Sequence, residues 1–352
     1  MVRRIGRGLL LAVVSVGIFC LAGEVLSRAF NLPDRLNGFP RRLYQATDDE
    51  RLPYVLGPGT AAVVRGFTMR ANAHGMRGPE ITPIPAPGVH RLAALGDSVT
   101  YGVIMREEDA FPALLERTLA ARTGERFEVL NAGVPGYNTE AELAHLERDV
   151  LPLRPETVVL AFNLNDFDWT PVMGPLGILT TNHGDRIASG SLRNRSEFYL
   201  LLRWLVLTRG RVWVGNGPMP DGFETAPFLP VDVAVSRERK EYYRHPSDGR
   251  WQAMVDALGG IRDLTHAAGA RLVVAIIPDG DQLDTPAPDL VPQQKLAGVC
   301  RDLALDCLDL HPAFVAQTAD VRFFMDIMHP NVAGHRVIAA TIADRLLARA
   351  SE

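Results

Sequence analysis

The chain has 352 residues, of which 47% are hydrophobic and 22% are charged. This length is ample to bury a core, either as one large domain or as two modest ones. The formal net charge of −4 argues against the strongly basic surface of a nucleic-acid-binding protein, so no nucleic-acid partner is expected. Clusters of His and Cys that would indicate a metal site are missing from the sequence.

Residues 1–30 have the pattern of a secretory signal or an N-terminal membrane anchor. Three arginines precede an apolar run over 9–22, and Glu24 ends this run. A positive flank followed by about 15 apolar residues is typical of both kinds of segment. The arginines would keep the N-terminus cytoplasmic, so we expect the bulk of the chain to be exported. A buried N-terminal helix is the alternative.

Residues 31–89 are rich in Pro, Gly and Arg and show little periodicity, which predicts an extended, loop-rich lead-in. The sequence NAHGMRGPE (72–80) near its end predicts a structural strand, with Met76 and Arg77 as alternative lining residues of a site. Cys300 and Cys307 can form a disulfide in an oxidising compartment or remain two buried thiols.

Residues 90–352 are predicted to form one domain in which strands alternate with helices. Short apolar runs predict five strands, at 91–98, 127–134, 157–166, 271–278 and 307–310. Apolar residues at helical spacing predict helices at 109–123, 139–153, 251–268, 289–303 and 331–349. This alternation indicates an α/β fold with a flavodoxin-like, doubly wound sheet of about five parallel strands. Ligands bind such sheets at the carboxyl ends of the strands.

The alternation is interrupted by an insertion at about 168–249, after the third strand. It contains a predicted helix at 196–208 and a charged segment at 236–245. An insertion of this length beside the strand ends predicts a lid or a specificity element. The helix is expected to face the core, with membrane contact as the alternative.

Ser98 stands directly after the first predicted strand, in the segment GDSVTYG (96–102). Gly96 lets the chain turn sharply, and a serine at the start of the following helix exposes its hydroxyl and its N–H together. By itself this tripeptide is also ordinary turn chemistry.

Two further segments follow the second and third strands. A glycine in NAGVPGY (131–137), either Gly133 or Gly136, can offer a backbone N–H to an oxyanion. Asn165 in NLND (163–166) can donate its side-chain amide to the same charge. Each segment alone fits a turn or a loop cap equally well. Asp97 and Asp166 are expected to hold loops by accepting hydrogen bonds from backbone N–H groups.

The segment DIMHPN (326–331) precedes the last helix and supplies the remaining chemistry. His329 has a suitable pKa to act as a general base, and Asp326 stands three residues before it, where it can orient the imidazole. Pro330 is expected to occupy the first position of the helix. His311 and His335 lack a carboxylate at this spacing and are interpreted as packing or surface residues.

In this order and at these strand ends, the four segments resemble the SGNH/GDSL hydrolase superfamily over about 91–349. The resemblance implies Ser98 as nucleophile, His329 as base and Asp326 as its orienting acid. It also implies an oxyanion hole formed by the N–H groups of Ser98 and Gly136 and the side chain of Asn165. This sequence has GDSV where the family has GDSL, and Asn163 where its third segment begins with glycine.

These expectations together predict a serine esterase that hydrolyses short acyl esters, such as O-acetyl groups on carbohydrate, without a metal or an organic cofactor. The alternatives are an O-acyltransferase acting on surface polysaccharide, a lipase or thioesterase, and a non-catalytic glycan-binding protein of the same fold. The complete Ser98, Asp326 and His329 set argues against the last of these, because a binding protein needs none of the three.

Overall fold

The structure is a computed structural model that describes residues 2–30, 32, 43–64, 67–103, 105–167, 172–173, 179–180, 196, 198–199, 201–202, 233–246, 249–317 and 322–348. Its helices are α1 (Val2–Phe30), α2 (Ser98–Tyr101), α3 (Phe111–Thr123), α4 (Thr139–His145), α5 (Val233–Arg244), α6 (Arg250–Ala267), α7 (Val291–Asp302), α8 (His311–Val315) and α9 (Val332–Ala348). Its strands are β1 (Tyr44–Ala46), β2 (Tyr54–Leu56), β3 (Ala61–Val64), β4 (Phe67–Arg70), β5 (Val89–Gly96), β6 (Arg126–Gly133), β7 (Thr157–Phe162), β8 (Val172–Met173), β9 (Leu179–Thr180), β10 (Arg271–Ile276) and β11 (Cys307–Asp309).

Five parallel strands form the central sheet in the order β6-β5-β7-β10-β11. The predicted doubly wound α/β sheet is therefore confirmed, and the first strand of this sheet lies between the second and the third. Gly96 pairs with Gly133 on one side and with Ala161 on the other. The carboxyl ends of β5, β6 and β7 thus lie at one level, where the loops that follow them meet.

Helices cover both faces of the sheet. Along β5, Leu92 and Ala94 pack with α3 and α9 on one face, whereas Ala93 and Leu95 pack with α6 and α7 on the other. This two-residue alternation, with both sets buried, is the reason that the strands read as continuous apolar runs. Full burial of each large aliphatic side chain contributes about 1.5–3 kcal/mol to the hydrophobic stabilisation.

Several predicted boundaries differ from the structure: the first strand ends at Gly96, the fourth strand ends at Ile276, and the second helix is α-helical only over Thr139–His145. Two further differences lie beside the predicted site. The third strand was predicted to extend to 166 but ends at Phe162, because Asn163 and Asp166 form a turn in which the Asn163 N–H donates to the Asp166 carboxylate. The last helix begins at Val332 rather than at Pro330, since the Asn331 side chain accepts from the Gly334 N–H and caps the helix.

The predicted loop-rich lead-in contains two short antiparallel hairpins, β1–β2 and β3–β4. Their buried residues, including Tyr54, Leu56 and Met69, pack against Tyr101 and Tyr137 from the loops that follow β5 and β6. Long-range packing rather than local periodicity therefore orders this segment. Cys300 and Cys307 form a disulfide between the end of α7 and β11.

Helix α1 contains one stretch, Leu11–Phe30, that is long and apolar enough to cross a membrane. Among the α1 residues whose side chains the structure describes, the large apolar ones are exposed on every side of the helix, and Ser27 is buried. The predicted helix at 196–208 is helical at 198–199 and 201–202, and residues 203–208 lie outside the described residues.

Candidate active site

Ser98 is the first residue of α2, directly after the end of β5. Gly96 makes this turn with a φ of 155°, and a Cβ at this position would collide with the Thr100 hydroxyl and approach the Ala161 carbonyl oxygen to 3.1 Å. The Asp97 side chain accepts a hydrogen bond of 2.8 Å from the Val99 N–H and caps the helix. The Ser98 N–H has no intrahelical acceptor, because it lies in the first turn.

His329 reaches Ser98 from the loop before α9, 231 residues further along the chain. Its Nε2 lies 2.9 Å from the Ser98 Oγ, and its Nδ1 lies 2.7 Å from the Asp326 Oδ2. The second Asp326 oxygen accepts from the backbone N–H groups of Met328 and His329. One carboxylate therefore fixes both the loop and the imidazole, as the three-residue spacing predicts.

The pKa values of this pair shift in the directions that an ion pair requires. Burial lowers the pKa of His329, but the hydrogen bond and the negative charge of Asp326 outweigh burial, and the pKa is raised from its ordinary value. Burial raises the pKa of Asp326, but the hydrogen bonds from His329 and Met328 outweigh it, and that pKa is lowered. Asp326 thus stays a carboxylate that can accept from the imidazole.

The glycine loop after β6 is held closely against α2. A Cβ at Gly133 would collide with the backbone of Thr100 and Tyr101, and the Gly133 N–H already donates to the Asn131 side chain at 3.1 Å. The half-buried Gly136, by contrast, has an N–H for which no acceptor occurs among the described residues. Of the two predicted donors, Gly136 is therefore the one that is available to a ligand.

The asparagine turn after β7 contacts the residue before Ser98. The Asn163 side chain donates to the Asp97 Oδ1 at 2.6 Å, and the nearby Asn165 side chain lowers the pKa of Asp97. The asparagine that replaces the usual glycine thus ties the end of β7 to the turn that carries Ser98. The Asn165 amide nitrogen carries two hydrogens that it can donate to an acceptor.

Arg77, which the sequence left between a structural and a lining role, supports the loop after Ser98 from behind. Its guanidinium is buried and donates to the carbonyl oxygens of Tyr101, Gly102 and Met105. Its backbone forms isolated antiparallel bridges with Ala71 and with Asn131 in β6, so the strand predicted within 72–80 does not form and the residue has a structural role through these bridges. Met76 beside it is buried in the core.

Two other residues at this edge were not predicted from the sequence. The Tyr54 hydroxyl donates to the Pro135 carbonyl oxygen at 2.9 Å, which anchors the loop that carries Gly136. Arg239 in α5 is buried and donates to both oxygens of Asp279 at 3.0 and 3.1 Å. Its positive charge lowers the pKa of His329, whereas Asp326 raises it. The charged composition of 236–245 was the available hint for Arg239.

The remaining predictions concern polar residues around the site. Asp97 and Asp166 accept from backbone N–H groups, as predicted for loop-holding residues. His335 accepts from the Phe111 N–H at 3.0 Å, and burial lowers its pKa to about 3, which fits a neutral packing residue. Among the residues that the structure describes, no three His, Cys, Asp or Glu side chains are grouped so that they could hold a metal ion.

A hydroxyl, an imidazole and a carboxylate in hydrogen-bonded line, beside free N–H donors at the carboxyl edge of a parallel sheet, can carry out acyl transfer through a nucleophilic serine. The chain belongs to the GDSL-like Lipase/Acylhydrolase family, whose model matches residues 94–337. The protein is an ester-bond hydrolase of this family, and the predictions of its family and enzyme class are confirmed.

Solved structures similar to this chain include a lipase/acylhydrolase from Enterococcus faecalis, with 18% identity, coverage of 74% of this chain and 96% of the other, and a TM-score of 0.40. An acetyl-xylooligosaccharide esterase variant from Geobacillus Stearmophilus is similar with 14% identity, coverage of 72% and 93%, and a TM-score of 0.43. The comparison with curated proteins gives no match.

Proposed function

We propose that the protein is a serine esterase that works through an acyl-serine intermediate, with Ser98 as nucleophile, His329 as general base and Asp326 as the acid that orients it. The observation that carries this proposal is the hydrogen-bonded line from the Ser98 Oγ through both nitrogens of His329 to Asp326, with distances of 2.9 and 2.7 Å. A serine, a histidine and a carboxylate in such a hydrogen-bonded line form the arrangement by which serine hydrolases activate their nucleophile.

In the first half-reaction, the Ser98 Oγ attacks the ester carbonyl carbon while His329 Nε2 takes its proton. The tetrahedral oxyanion would accept hydrogen bonds from the N–H groups of Ser98 and Gly136 and from the amide of Asn165. His329 then gives its proton to the departing alkoxide oxygen, the C–O bond breaks, and an acyl-serine remains.

In the second half-reaction, water attacks the acyl-serine and His329 takes a proton from this water. The same oxyanion donors hold the second tetrahedral charge. Collapse of the intermediate breaks the bond to the Ser98 Oγ, which receives the proton from His329, and the acid leaves. The scheme returns every group to its starting state.

For the substrate, we propose short acyl esters, with O-acetyl groups on carbohydrate as the first candidate. Support comes from the polar groups at this edge of the sheet: Asp97 and His329 contact the Ser98 hydroxyl, and Asn163 contacts Asp97. A long acyl chain is bound best by apolar walls, whereas a short acyl group on a polyhydroxy alcohol matches polar surroundings.

We also propose that the enzyme works outside the cytoplasm, held by α1. The apolar stretch Leu11–Phe30 and the arginines before it support this location and orientation. The disulfide between Cys300 and Cys307 supports it independently, because such bonds persist in oxidising compartments.

The test is hydrolysis of p-nitrophenyl acetate by the full chain, compared with Ser98→Ala. We expect the variant to lose about 10³-fold or more in kcat, in line with the removal of a nucleophile in other serine hydrolases. Thr118→Ala on α3 is the matched control, since it also removes one hydroxyl and should keep the wild-type rate.

A fluorophosphonate probe should label the wild-type protein at Ser98 and leave Ser98→Ala unlabelled. Equal rates for wild type and Ser98→Ala, together with a lack of labelling at Ser98, would refute the proposal. The acyl preference is tested by comparing acetyl and octanoyl esters, and a higher kcat/KM for octanoyl would refute the short-acyl part alone.

A further inference from the structure

Glu24 lies within the apolar stretch of α1, yet its carboxylate is held by the insertion of the hydrolase domain. Its Oε2 accepts from the Ser196 hydroxyl at 2.8 Å and from the Phe198 N–H at 2.9 Å. The Ser196 hydroxyl in turn accepts from the Tyr199 N–H at 3.0 Å. The acidic side chain thus caps the N-terminal side of the helical residues Phe198 and Tyr199.

Apolar contacts reinforce this cap. The Phe198 ring lies against Gly23, where a Cβ would come within 2.6 Å of the ring. The same ring packs edge-on against Phe19, with 5.4 Å between the ring centroids. The contacts therefore extend along more than one turn of α1, from Phe19 to Glu24.

All of these contacts lie inside the stretch Leu11–Phe30. Its 20 residues are the number needed to cross the hydrocarbon core of a bilayer. Counted from Phe30 at the outer end, Glu24 lies about 9 Å along the helix axis, at a rise of 1.5 Å per residue. Whatever binds α1 at Glu24 therefore lies at the depth of the outward-facing leaflet.

We propose that the segment of the insertion that carries Ser196, Phe198, Tyr199 and Leu202 enters the outward-facing leaflet beside α1, so that the insertion holds the hydrolase domain against the lipid bilayer. This inference rests on the part of the proposed function that places α1 in a membrane. With this contact, the hydrolase domain is attached to the membrane at two places in the chain, rather than by the single helix α1.

The chemistry of the segment fits a lipid surface. An ionisable side chain in an apolar span is costly unless it is paired, and the partners of Glu24 include groups from the insertion as well as Arg28. Tyr199 and Leu202 remain 38% and 42% exposed, and they continue the apolar surface of α1 onto the insertion. Tyrosine is enriched at the level of the lipid headgroups.

The inference is tested with single NBD labels on the full chain in nanodiscs of phosphatidylcholine and phosphatidylglycerol that contain doxyl-labelled lipid. Cys20, which is free and exposed on α1, reports the position of the anchor. Leu202→Cys in a Cys20→Ala background reports the segment. Ile84→Cys in the same background is the matched control, because Ile84 is an apolar, exposed residue outside both elements.

We expect doxyl lipid to quench the labels at 20 and 202 strongly and the label at 84 weakly. Quenching at 20 but not at 202 would overturn the inference and leave the anchor in place. A lack of quenching at both 20 and 202 would overturn the inference together with the anchor, whereas the hydrolase assignment would still be decided by Ser98→Ala.

The cap is tested by placing Glu24→Ala and Glu24→Gln in the Leu202→Cys protein. Glutamine keeps an acceptor oxygen, so the label at 202 should stay quenched, whereas alanine removes the acceptor and quenching should fall. Unchanged quenching in Glu24→Ala would overturn the role of Glu24. Quenching at 202 that appears only when two copies of the chain share a nanodisc would point to a second copy, rather than lipid, as the partner of the segment.

Discussion

Ser98 is flanked by two groups of carboxyl side chains that the structure places in opposite electrostatic states. Asp326 accepts three hydrogen bonds, keeps contact with solvent, and has a lowered pKa. Asp97, Glu142 and Asp166 are buried on the other side, and burial raises the pKa of each. The same functional group is thus charged beside the imidazole and driven towards the neutral form behind the nucleophile.

Glu142 is the extreme case in the second group. It is fully buried on α4, and neither of its carboxyl oxygens has a hydrogen-bond partner in the part of the chain that the structure describes. One oxygen of Asp166 is in the same situation. Burial is the main cause of both raised pKa values, and the mutual proximity of Glu142, Asp97 and Asp166 raises them further.

The difference teaches that the balance between burial and hydrogen-bond donors, rather than residue type, decides where negative charge is kept. Asp97 also accepts hydrogen bonds, yet burial outweighs them and raises its pKa. In the proposed mechanism, a charge at Asp326 stabilises the imidazolium that forms when His329 takes the Ser98 proton. A full charge at Glu142 would instead repel the oxyanion that we propose forms in front of Gly136 and Asn165. Burial raises the pKa of Glu142 and so reduces this repulsion.

The largest effect in this comparison is expected from removal of the charge beside His329. Asp326→Asn keeps the shape of the side chain but replaces an acceptor oxygen by an NH2 donor and removes the negative charge. We therefore expect kcat for p-nitrophenyl acetate to fall by about 10⁴-fold. Asp263→Asn, which removes an exposed carboxylate from α6, is the control and should keep the wild-type kcat. A loss of less than tenfold in Asp326→Asn would mean that His329 does not depend on Asp326.

The pH profile of kcat/KM sharpens the same side of the comparison. His329 must be neutral to accept the Ser98 proton, and its pKa is raised above the ordinary value of 6.5. Activity should therefore begin to fall at a pH above 6.5 and then drop about tenfold for each further pH unit towards acid. In Asp326→Asn, the acid limb of the residual activity should shift to lower pH. An unshifted limb would assign the titration to another group.

Much of this arrangement was predictable from the sequence because it depends on local patterns. The buried strands appear as apolar runs, and Ser98, Gly136, Asn165 and His329 each follow a strand or precede a helix. A parallel sheet brings strand ends together, so the residues after them converge without any further information.

The parts that escaped prediction depend on contacts between distant segments. Tyr54 anchors the Pro135 carbonyl across 81 residues, and Arg239 reaches Asp279 across 40. The position of Glu142 in the sequence of α4 would equally suit an exposed acid. Its burial without donors is a property of the packed neighbours, and no spacing within α4 encodes it.

The smallest effect, and the most direct test of the buried acids, is expected from Glu142→Gln. A group whose folded pKa is raised stabilises the fold fully below its unfolded pKa, and this stability is lost as pH rises through the folded pKa. Glutamine resembles the protonated acid at every pH, so the change should cost less than about 1.5 kcal/mol in acid and become stabilising as pH rises.

Thermal unfolding of both proteins over a range of pH measures this difference, with Glu140→Gln on the same helix as the control for a more exposed acid. Asp326→Asn should show the opposite sign, because the lowered pKa of Asp326 gives stability above its unfolded pKa that is lost as pH falls through the folded one. If the difference in Tm between Glu142→Gln and wild type stays constant with pH, Glu142 does not change its protonation on folding, and the contrast between the two sides of Ser98 fails. If the difference grows with pH while kcat stays near the wild-type value, the charge behind the nucleophile is suppressed by burial, as the missing donors around Glu142 require.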